Sequence, residues 1–243
     1  MFKGLFDMDK PFWRWLGKIP DMIGLSLCWY ICCLPIITII PACCALFDAV
    51  SRNLMMDDRG TFKRFFRSFL RELKQGIPLT IFWLLIGVIA FYGFFIMRQL
   101  ATTSSFFAAF YLFYIIMILM LFAYLSWLIA LQSRYNQKFI GLHINALRFF
   151  FGRLFGSLGM LISIIFVVIV CFLHPLTFCL LCVAPCLIAI LHTIPVEKGF
   201  RKAFPNDYED GLPVYTEQDR IAIRKIKKAK QEEAEAAENE YYD

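Results

Sequence analysis

A stretch of 124 residues, from Leu73 to Val196, contains no aspartate or glutamate and only six lysines or arginines. Charged side chains are what a lipid bilayer excludes most strongly. Hydrophobic residues make up 60% of the 243-residue chain, whereas a soluble domain is about half apolar. The chain is therefore predicted to fold in lipid, and the class of soluble globular domains is excluded.

Four uncharged runs divide this sequence, at residues 22–47, 75–97, 99–133 and 154–196. A helix that crosses a bilayer needs about 20 apolar residues, so the last run holds two, separated near Pro175. We predict an all-α, polytopic membrane protein with its membrane domain over residues 1–205. The four full transmembrane helices are predicted at residues 77–97, 106–132, 154–173 and 175–196.

The first run contains two prolines, Pro35 and Pro41, and is basic on both flanks. The residue before a proline is biased out of helical geometry, and basic flanks favour the cytoplasm. We therefore predict a proline-broken hairpin of helices 19–34 and 42–56, re-entrant or tilted, that returns to the same side. The candidate structural or functional break comprises Pro35, Thr38, Pro41 and Asp48. The alternative is one ordinary kinked span, giving five simple spans.

The basic residues predict the orientation of the chain. Seven lysines or arginines lie between residues 52 and 74, whereas the next connection has only Arg98. Cytoplasmic loops carry such an excess of basic residues. Both termini are therefore expected in the cytoplasm, with residues 206–243 forming a charged cytoplasmic tail.

Residues 61–74 show the period of an amphipathic helix, and Gly76 is expected to stop it. Its apolar face is predicted to hold Phe62, Phe65, Phe66, Phe69, Leu70 and Leu73. Its polar face is predicted to hold Lys63, Arg64, Arg67, Ser68, Arg71 and Glu72. We expect this interfacial helix to lie in the headgroup plane. The candidate contacts to lipid or to a partner protein are Lys63, Arg64, Arg67 and Arg71.

Small residues at intervals of four predict close helix packing at the start of the fourth run. They are Gly152, Gly156 and Gly159, followed by Ser163. Packing within the chain and a dimer contact are both compatible with this spacing.

Residues that could carry chemistry are scarce. Asp48, directly after the first apolar run, is the one candidate for an intramembrane carboxylate, and this scarcity argues against a secondary transporter acting alone. All nine cysteines lie in apolar runs and are expected to be unpaired thiols. Cys179, Cys182 and Cys186 share one helix face and cannot surround a metal ion. With no phosphate loop, zinc-protease motif or nucleic-acid motif, we predict no catalytic residues, cofactor, metal or nucleic-acid partner.

The amino-terminal third resembles a known family. The similarity rests on residues 4–12 (GLFDMDKPF), 34–42 (LPIITIIPA), 64–69 (RFFRSF) and 74–76 (KQG). These segments resemble the YesL-like membrane proteins of Gram-positive bacteria, a family of unknown function that usually has glycine where this chain has Ile40. The resemblance implies a plasma-membrane protein encoded beside genes for carbohydrate import.

These observations favour a non-catalytic accessory or permease-like component linked to carbohydrate uptake. Its expected partners are the lipid bilayer and ABC-type sugar transporter subunits. A membrane scaffold or signalling partner is the alternative, and an uncharacterised membrane enzyme is a further one.

Overall fold

The structure, a computed structural model, describes residues 19–56, 60–135, 137–173, 177–209 and 212–214. This part of the chain forms seven α-helices, which confirms the prediction of an all-α fold. The helices are α1 (Ile19–Cys33), α2 (Ile39–Met56), α3 (Thr61–Ala101), α4 (Ser105–Arg134), α5 (Phe139–Gly152), α6 (Leu154–Leu173) and α7 (Thr177–Ala203). After α7 come a 3-10 turn, Pro205–Asp207, and two antiparallel two-residue strands, β1 (Tyr208–Glu209) and β2 (Leu212–Pro213).

Several of these helices are long and apolar enough to cross a membrane. Within the described residues they are α3, α4 and the Val183–Ala203 part of α7. A fourth span is present if α5 and α6, which meet at a 92° bend, are counted together. Helix α1 is apolar but shorter. The chain is thus a polytopic helical membrane protein, with three or four spans where four were predicted.

The proline-containing break lies between α1 and α2. Pro35 is extended, with φ −75° and ψ 110°, and a 3-10 turn from Ile36 to Thr38 follows it. The Thr38 hydroxyl lies 2.5 Å from the Cys32 carbonyl oxygen and 2.6 Å from that of Pro35. The Thr38 side chain therefore reaches the Cys32 carbonyl group in the last turn of α1, while the Pro35 carbonyl group also accepts a backbone hydrogen bond of 2.9 Å from the Thr38 N–H.

Helix α2 begins before its proline, at Ile39, whereas the predicted start was residue 42. Pro41 thus occupies the first turn, where a missing N–H costs no hydrogen bond. Ile40 is helical and only 3% exposed. Because any L-residue adopts helical geometry, glycine is not needed at position 40.

The two arms of this break run back along each other beside the first half of α3. A Cβ on Gly76 would lie 2.5 Å from Cγ of Pro41, and a Cβ on Gly24 would lie 2.5 Å from Cζ of Phe62. The tip of the hairpin therefore packs near Gly76, and α1 packs near the start of α3. Since α2 ends a few residues before α3 begins, the chain reverses its direction at the break.

Helix α3 is one continuous helix of 41 residues where two elements, 61–74 and 77–97, were predicted. The predicted stop at Gly76 is wrong. Gly76 is buried and its missing side chain makes room for Pro41. Pro78 has no N–H to donate to the Lys74 carbonyl, yet the helix continues through it to Ala101.

Helix α5 was not predicted. Leu142, Ala146 and Phe150 are its buried residues, and its exposed apolar residues include Ile140 and Ile144. The helix meets α6 at a bend of 92°, and the two helices together are apolar enough to form a broken span or a re-entrant loop. The interfacial position predicted for residues 61–74 stays a prediction, and this segment is continuous with the candidate span of α3.

Candidate functional site: buried ion pairs and an apolar cavity

Asp48, predicted as part of the break, lies well after it on the buried face of α2. Its side chain is 3% exposed, and its Oδ1 accepts a hydrogen bond of 2.9 Å from Nε of Arg52. The Arg52 side chain is 9% exposed. The two residues are one helical turn apart, so their charges balance inside the bundle.

A second polar cluster joins α3 to α4 around the buried carboxylate of Glu72. Arg71 donates from Nε to Glu72 Oε1 at 2.8 Å, and from Nη2 to the Ser133 carbonyl oxygen at 3.1 Å. Gln132 donates from Nε2 to Glu72 Oε2 at 2.9 Å and to Gln75 Oε1 at 3.1 Å. The cluster thus links consecutive turns of α3 to the last turn of α4.

A third cluster joins α4, α7 and the segment after α7. Arg134 forms an ion pair with Glu197, and both side chains are 4% exposed. The hydroxyl of Tyr208 donates to Glu197 Oε2 at 2.6 Å and accepts from Arg134 Nη1 at 2.8 Å. Tyr135 donates to Oδ2 of Asp207 at 2.9 Å. These contacts hold residues 207–208 against the bundle.

Each of the three buried carboxylates in the described part of the chain, Asp48, Glu72 and Glu197, has an arginine partner. A buried charge is tolerated when it is paired and hydrogen-bonded. We therefore assign a structural role to the three clusters, which stabilise the helix bundle. Of these three carboxylates, only Asp48 was a candidate from the sequence. Glu72 was expected on the polar face of the 61–74 helix, and Glu197 lies just beyond the predicted end of the last transmembrane helix at residue 196, whereas α7 extends to Ala203.

In the first half of α3, the buried residues lie on a different side of the helix from the predicted apolar face. The buried residues are Thr61, Phe65, Ser68, Glu72 and Gly76. Ser68 and Glu72 were expected on the outward polar face but are 2% and 6% exposed. The exposed apolar residues of this segment are Phe62, Phe66 and Leu70.

The four candidate contact residues lie along this same half of α3. Lys63, Arg67 and Arg71 are exposed, and Arg64 is half-buried. Exposed phenylalanine and exposed basic side chains therefore share the part of the helix that points away from α2. We call this surface the basic-aromatic face, and define it by Lys63, Phe66, Arg67 and Leu70.

The candidate packing glycines differ in their surroundings. A Cβ on Gly156 would lie 3.5 Å from Cζ2 of Trp127, whereas a Cβ on Gly152 or Gly159 would have no neighbouring atom within 4 Å among the described residues. A closer approach occurs at Gly199, where a Cβ would lie 2.9 Å from Cη2 of Trp127. Sequence spacing missed Gly199 because its partner, the buried Trp127, lies on another helix.

The predicted cysteine and histidine groups are only partly described. The side chains of Cys171, Cys179 and Cys182, and all of His174, lie outside the described residues. The described free cysteines are Cys28, Cys32, Cys33, Cys43, Cys44 and Cys186. No group of three or more His, Cys, Asp or Glu residues suited to a metal ion occurs in the described ranges.

An apolar cavity of about 380 Å³ lies among α1, α2, α4, α6 and α7. Its walls are largely aliphatic and aromatic, and His192 and Ser126 are polar residues in them. The His192 side chain is 8% exposed. A second apolar cavity, of about 450 Å³, separates α3 from α4 between Trp83 and Leu125. The first cavity combines apolar walls with a buried polar group, as ligand sites do.

Comparison with known proteins gives one partial match. Residues 22–94 match a family described as "Protein of unknown function, DUF624". The matched region contains α2 and most of α1 and α3, with the break, the Asp48–Arg52 pair and the basic-aromatic face. It is less than a third of the chain. No curated protein and no solved structure matches. The resemblance to the YesL-like proteins stays a prediction.

Proposed function

We propose that the chain is a non-catalytic membrane protein that serves as an accessory component of carbohydrate uptake. In this proposal it lies in a bacterial plasma membrane with both termini in the cytoplasm. It contacts ABC-type sugar transporter subunits through the basic-aromatic face. The observation that carries the proposal is the geometry of α3.

Helix α3 is longer than a single crossing requires. Its 41 residues extend over roughly 60 Å, whereas the hydrocarbon core is about 30 Å thick. The most apolar part of the helix follows Gly76, so the first half is the part that extends beyond the span. This half is braced on one side by α2 and exposes Phe66 and Arg67 on the other. A rigid extension with aromatic and arginine side chains has the composition of an interface core.

The two cavities favour an accessory component over a permease that carries the sugar itself. A carbohydrate has many hydroxyl groups, and each of them loses free energy when it is buried without a hydrogen-bond partner. The cavities are lined mainly by apolar side chains such as Phe47, Phe122 and Phe94. They therefore match an apolar molecule rather than a sugar.

The test is the recovery of transporter subunits with the tagged full-length protein from its own cells in mild detergent. We expect mass spectrometry to identify a permease or ATPase subunit. We expect its recovery to fall by about tenfold in the double variant Lys63→Gln/Arg67→Gln, because losing about 1.4 kcal/mol of interface free energy weakens binding tenfold.

The matched control is Lys198→Gln/Lys202→Gln, which removes the same charge from exposed positions on α7. This control should recover the partner at the wild-type level. Consistent absence of transporter subunits, together with unchanged sugar uptake after deletion of the gene, would contradict the proposal. If both double variants recovered equally little of the transporter subunit, general electrostatic attraction and not a docking face would explain the binding.

A further inference from the structure

The basic-aromatic face carries positive charge that the described part of the chain does not balance. Lys63 and Arg67 are exposed, and neither side chain forms an ion pair or a hydrogen bond with any residue that the structure describes. The three buried carboxylates in the same part of the chain are each paired with an arginine. The two exposed basic groups therefore attract an anionic partner from elsewhere.

The position of these groups near the start of α3 strengthens the attraction for an anion. The helix begins at Thr61, and its first turn contains no aspartate or glutamate. The amino end of a helix carries about half a positive charge from its aligned peptide dipoles, and Lys63 lies in this first turn. The side-chain charge and the helix dipole therefore have the same sign here, and a neighbouring anion stabilises both.

Apolar side chains on the same face limit which anions fit. Phe66 is 49% exposed and Leu70 is 67% exposed, and they alternate with the two basic residues over about two turns. A small inorganic anion leaves these apolar side chains in water, whereas a peptide that carries both carboxylates and apolar residues covers them. The face therefore fits an acidic peptide segment.

This chain contains such a segment. Residues 232–240 (EEAEAAENE) hold five glutamates and three alanines, and Tyr241 and Tyr242 follow directly. We call residues 232–240 the acidic segment, which lies outside the described residues. No other stretch of nine residues in the sequence holds as many carboxylates. The acidic segment therefore matches the basic-aromatic face in charge and in apolar content.

The basic residues before the acidic segment are poor partners for it. They lie at 220–230 (RIAIRKIKKAK), so every lysine or arginine precedes the glutamates. Pairs in that order, such as Lys228 with Glu232, have the weaker orientation on a helix. Glutamates at the carboxyl end of a helix also oppose its dipole. Local pairing therefore competes only weakly with a contact elsewhere.

The described contacts bring the basic-aromatic face and the start of the tail to the same end of the molecule. Arg71, in the first half of α3, donates to the carbonyl oxygen of Ser133 in the last turn of α4. Tyr135, just after α4, donates to Asp207 at 2.9 Å, and the N–H of Val214 donates to the Asp207 carbonyl oxygen at 2.8 Å. The chain thus continues toward residue 215 from a point near the end of α4.

The chain between this point and the acidic segment is long enough to reach the face. Seventeen residues separate Val214 from Glu232, and they span up to about 56 Å when extended, at roughly 3.3 Å each. Lys63 lies about 12 Å along α3 from Arg71. A segment tethered in this way has an effective concentration on the order of 1 mM, so even a weak ionic contact is populated.

We propose that the acidic segment of this chain docks on the basic-aromatic face, with its glutamates on Lys63 and Arg67 and its apolar side chains on Phe66 and Leu70. The contact is intramolecular, and it does not depend on the proposed role in carbohydrate uptake. Its regulatory consequence does rest on that role, because a transporter subunit that binds this face must first displace the acidic segment.

The test is photocrosslinking of the purified full-length protein in nanodiscs of neutral phosphatidylcholine, with no transporter present. The probe is p-benzoylphenylalanine at position 66, where it replaces an exposed phenylalanine. We expect mass spectrometry to locate the crosslink in the peptide that holds residues 232–240. The same probe at position 91, which is also an exposed phenylalanine of α3, is the matched control and should not reach this peptide.

Charge variants identify the groups that hold the contact. Lys63→Glu/Arg67→Glu should lower the crosslink about tenfold, which corresponds to about 1.4 kcal/mol. Replacing the five glutamates of the acidic segment by lysine should have the same effect. The two sets of changes together place opposite charges on the two partners again, so the crosslink should return. Raising the salt concentration from about 0.1 M to 1 M shortens the Debye length from about 10 Å to 3 Å, and should weaken the wild-type crosslink severalfold.

Other occupants of the face give different results, and each would overturn the proposal. A crosslink between isotopically light and heavy copies, mixed before reconstitution, would identify a second copy of the chain. A crosslink to phospholipid alone would identify the membrane surface. A crosslink to the acidic segment that survives Lys63→Glu/Arg67→Glu would remove the two basic residues as its partners. Since no transporter is present, failure of the transporter recovery test leaves this contact standing.

Discussion

At the scale of single residues, the interior depends on Trp127 and what surrounds it. Trp127 is completely buried and donates from Nε1 to Oγ of Ser157 at 2.9 Å. Its ring stacks on Phe149 with 5.3 Å between centroids. Gly199 of α7 completes the enclosure because a side chain there would meet the indole. One aromatic residue of α4 thus joins α5, α6 and α7.

Gly199→Ala should therefore destabilise the protein. The added Cβ would lie 2.9 Å from Cη2 of Trp127, and overpacking of this kind costs about 1–3 kcal/mol. Gly159→Ala is the matched control, because its Cβ meets no described atom within 4 Å and alanine favours helix by up to about 1 kcal/mol. Thermal unfolding in detergent measures both. Equal destabilisation of the two variants would contradict the packing described here.

The Arg134–Glu197 pair gives a second prediction at this scale. Removing one partner leaves a buried charge uncompensated, which costs about 3–5 kcal/mol. Arg134→Met and Glu197→Met should each lower the unfolding temperature strongly. The double variant Arg134→Met/Glu197→Met should recover much of the loss, because apolar replacement of a buried pair is often neutral. Additive losses would show that the two side chains act independently.

The sequence singled out Asp48 as a candidate carboxylate but did not single out Glu72 or Glu197, for a physical reason. Asp48 and Arg52 are one turn apart on the same helix, so their spacing is visible in the sequence. Glu72 and Glu197 are held by contacts to α4, through Gln132 and Arg134. Such contacts depend on how helices pack, and helical periodicity does not contain that information.

At the scale of elements, the length and hydropathy of the uncharged runs predicted the helices well. Glycine and proline residues predicted the ends of the helices less well. The uncharged run 99–133 became α4, Ser105–Arg134, with little change. Gly76 and Pro78 both lie inside α3, because tertiary packing against α2 outweighs the local preferences of glycine and proline. Helix α5 was missed because Arg148 and Lys138 interrupt the apolar pattern around it.

The reversal between α1 and α2 predicts which connections share a side of the membrane. An epitope inserted at Asp57, between α2 and α3, should be inaccessible to antibody in intact cells and accessible after permeabilisation. An epitope in the turn after α3, at Thr103, should be accessible in both states, because α3 crosses the bilayer between these sites. External access at Asp57 would show that the first segment crosses the membrane once.

At the scale of the whole molecule, the described part of the chain divides into a packed bundle and a projecting helix pair. The structure describes every residue of α3 and α4. In α3 the last buried residue is Thr80, and in α4 the first buried residue is Ala123. Tyr114 donates to the Ala90 carbonyl oxygen at 2.9 Å and so links the two helices within the projection. Composition predicted that this region lies in lipid, but contacts alone reveal which helices leave the bundle.

This projection has a consequence for the membrane in which the protein works. A helix inside a bundle takes its tilt from its neighbours, whereas a helix with apolar residues on most sides responds to hydrophobic mismatch. The exposed residues of the pair include Leu85, Ile89, Phe110 and Phe113. Thin bilayers should therefore incline the two helices and thick bilayers should bring them upright, while the bundle keeps its shape.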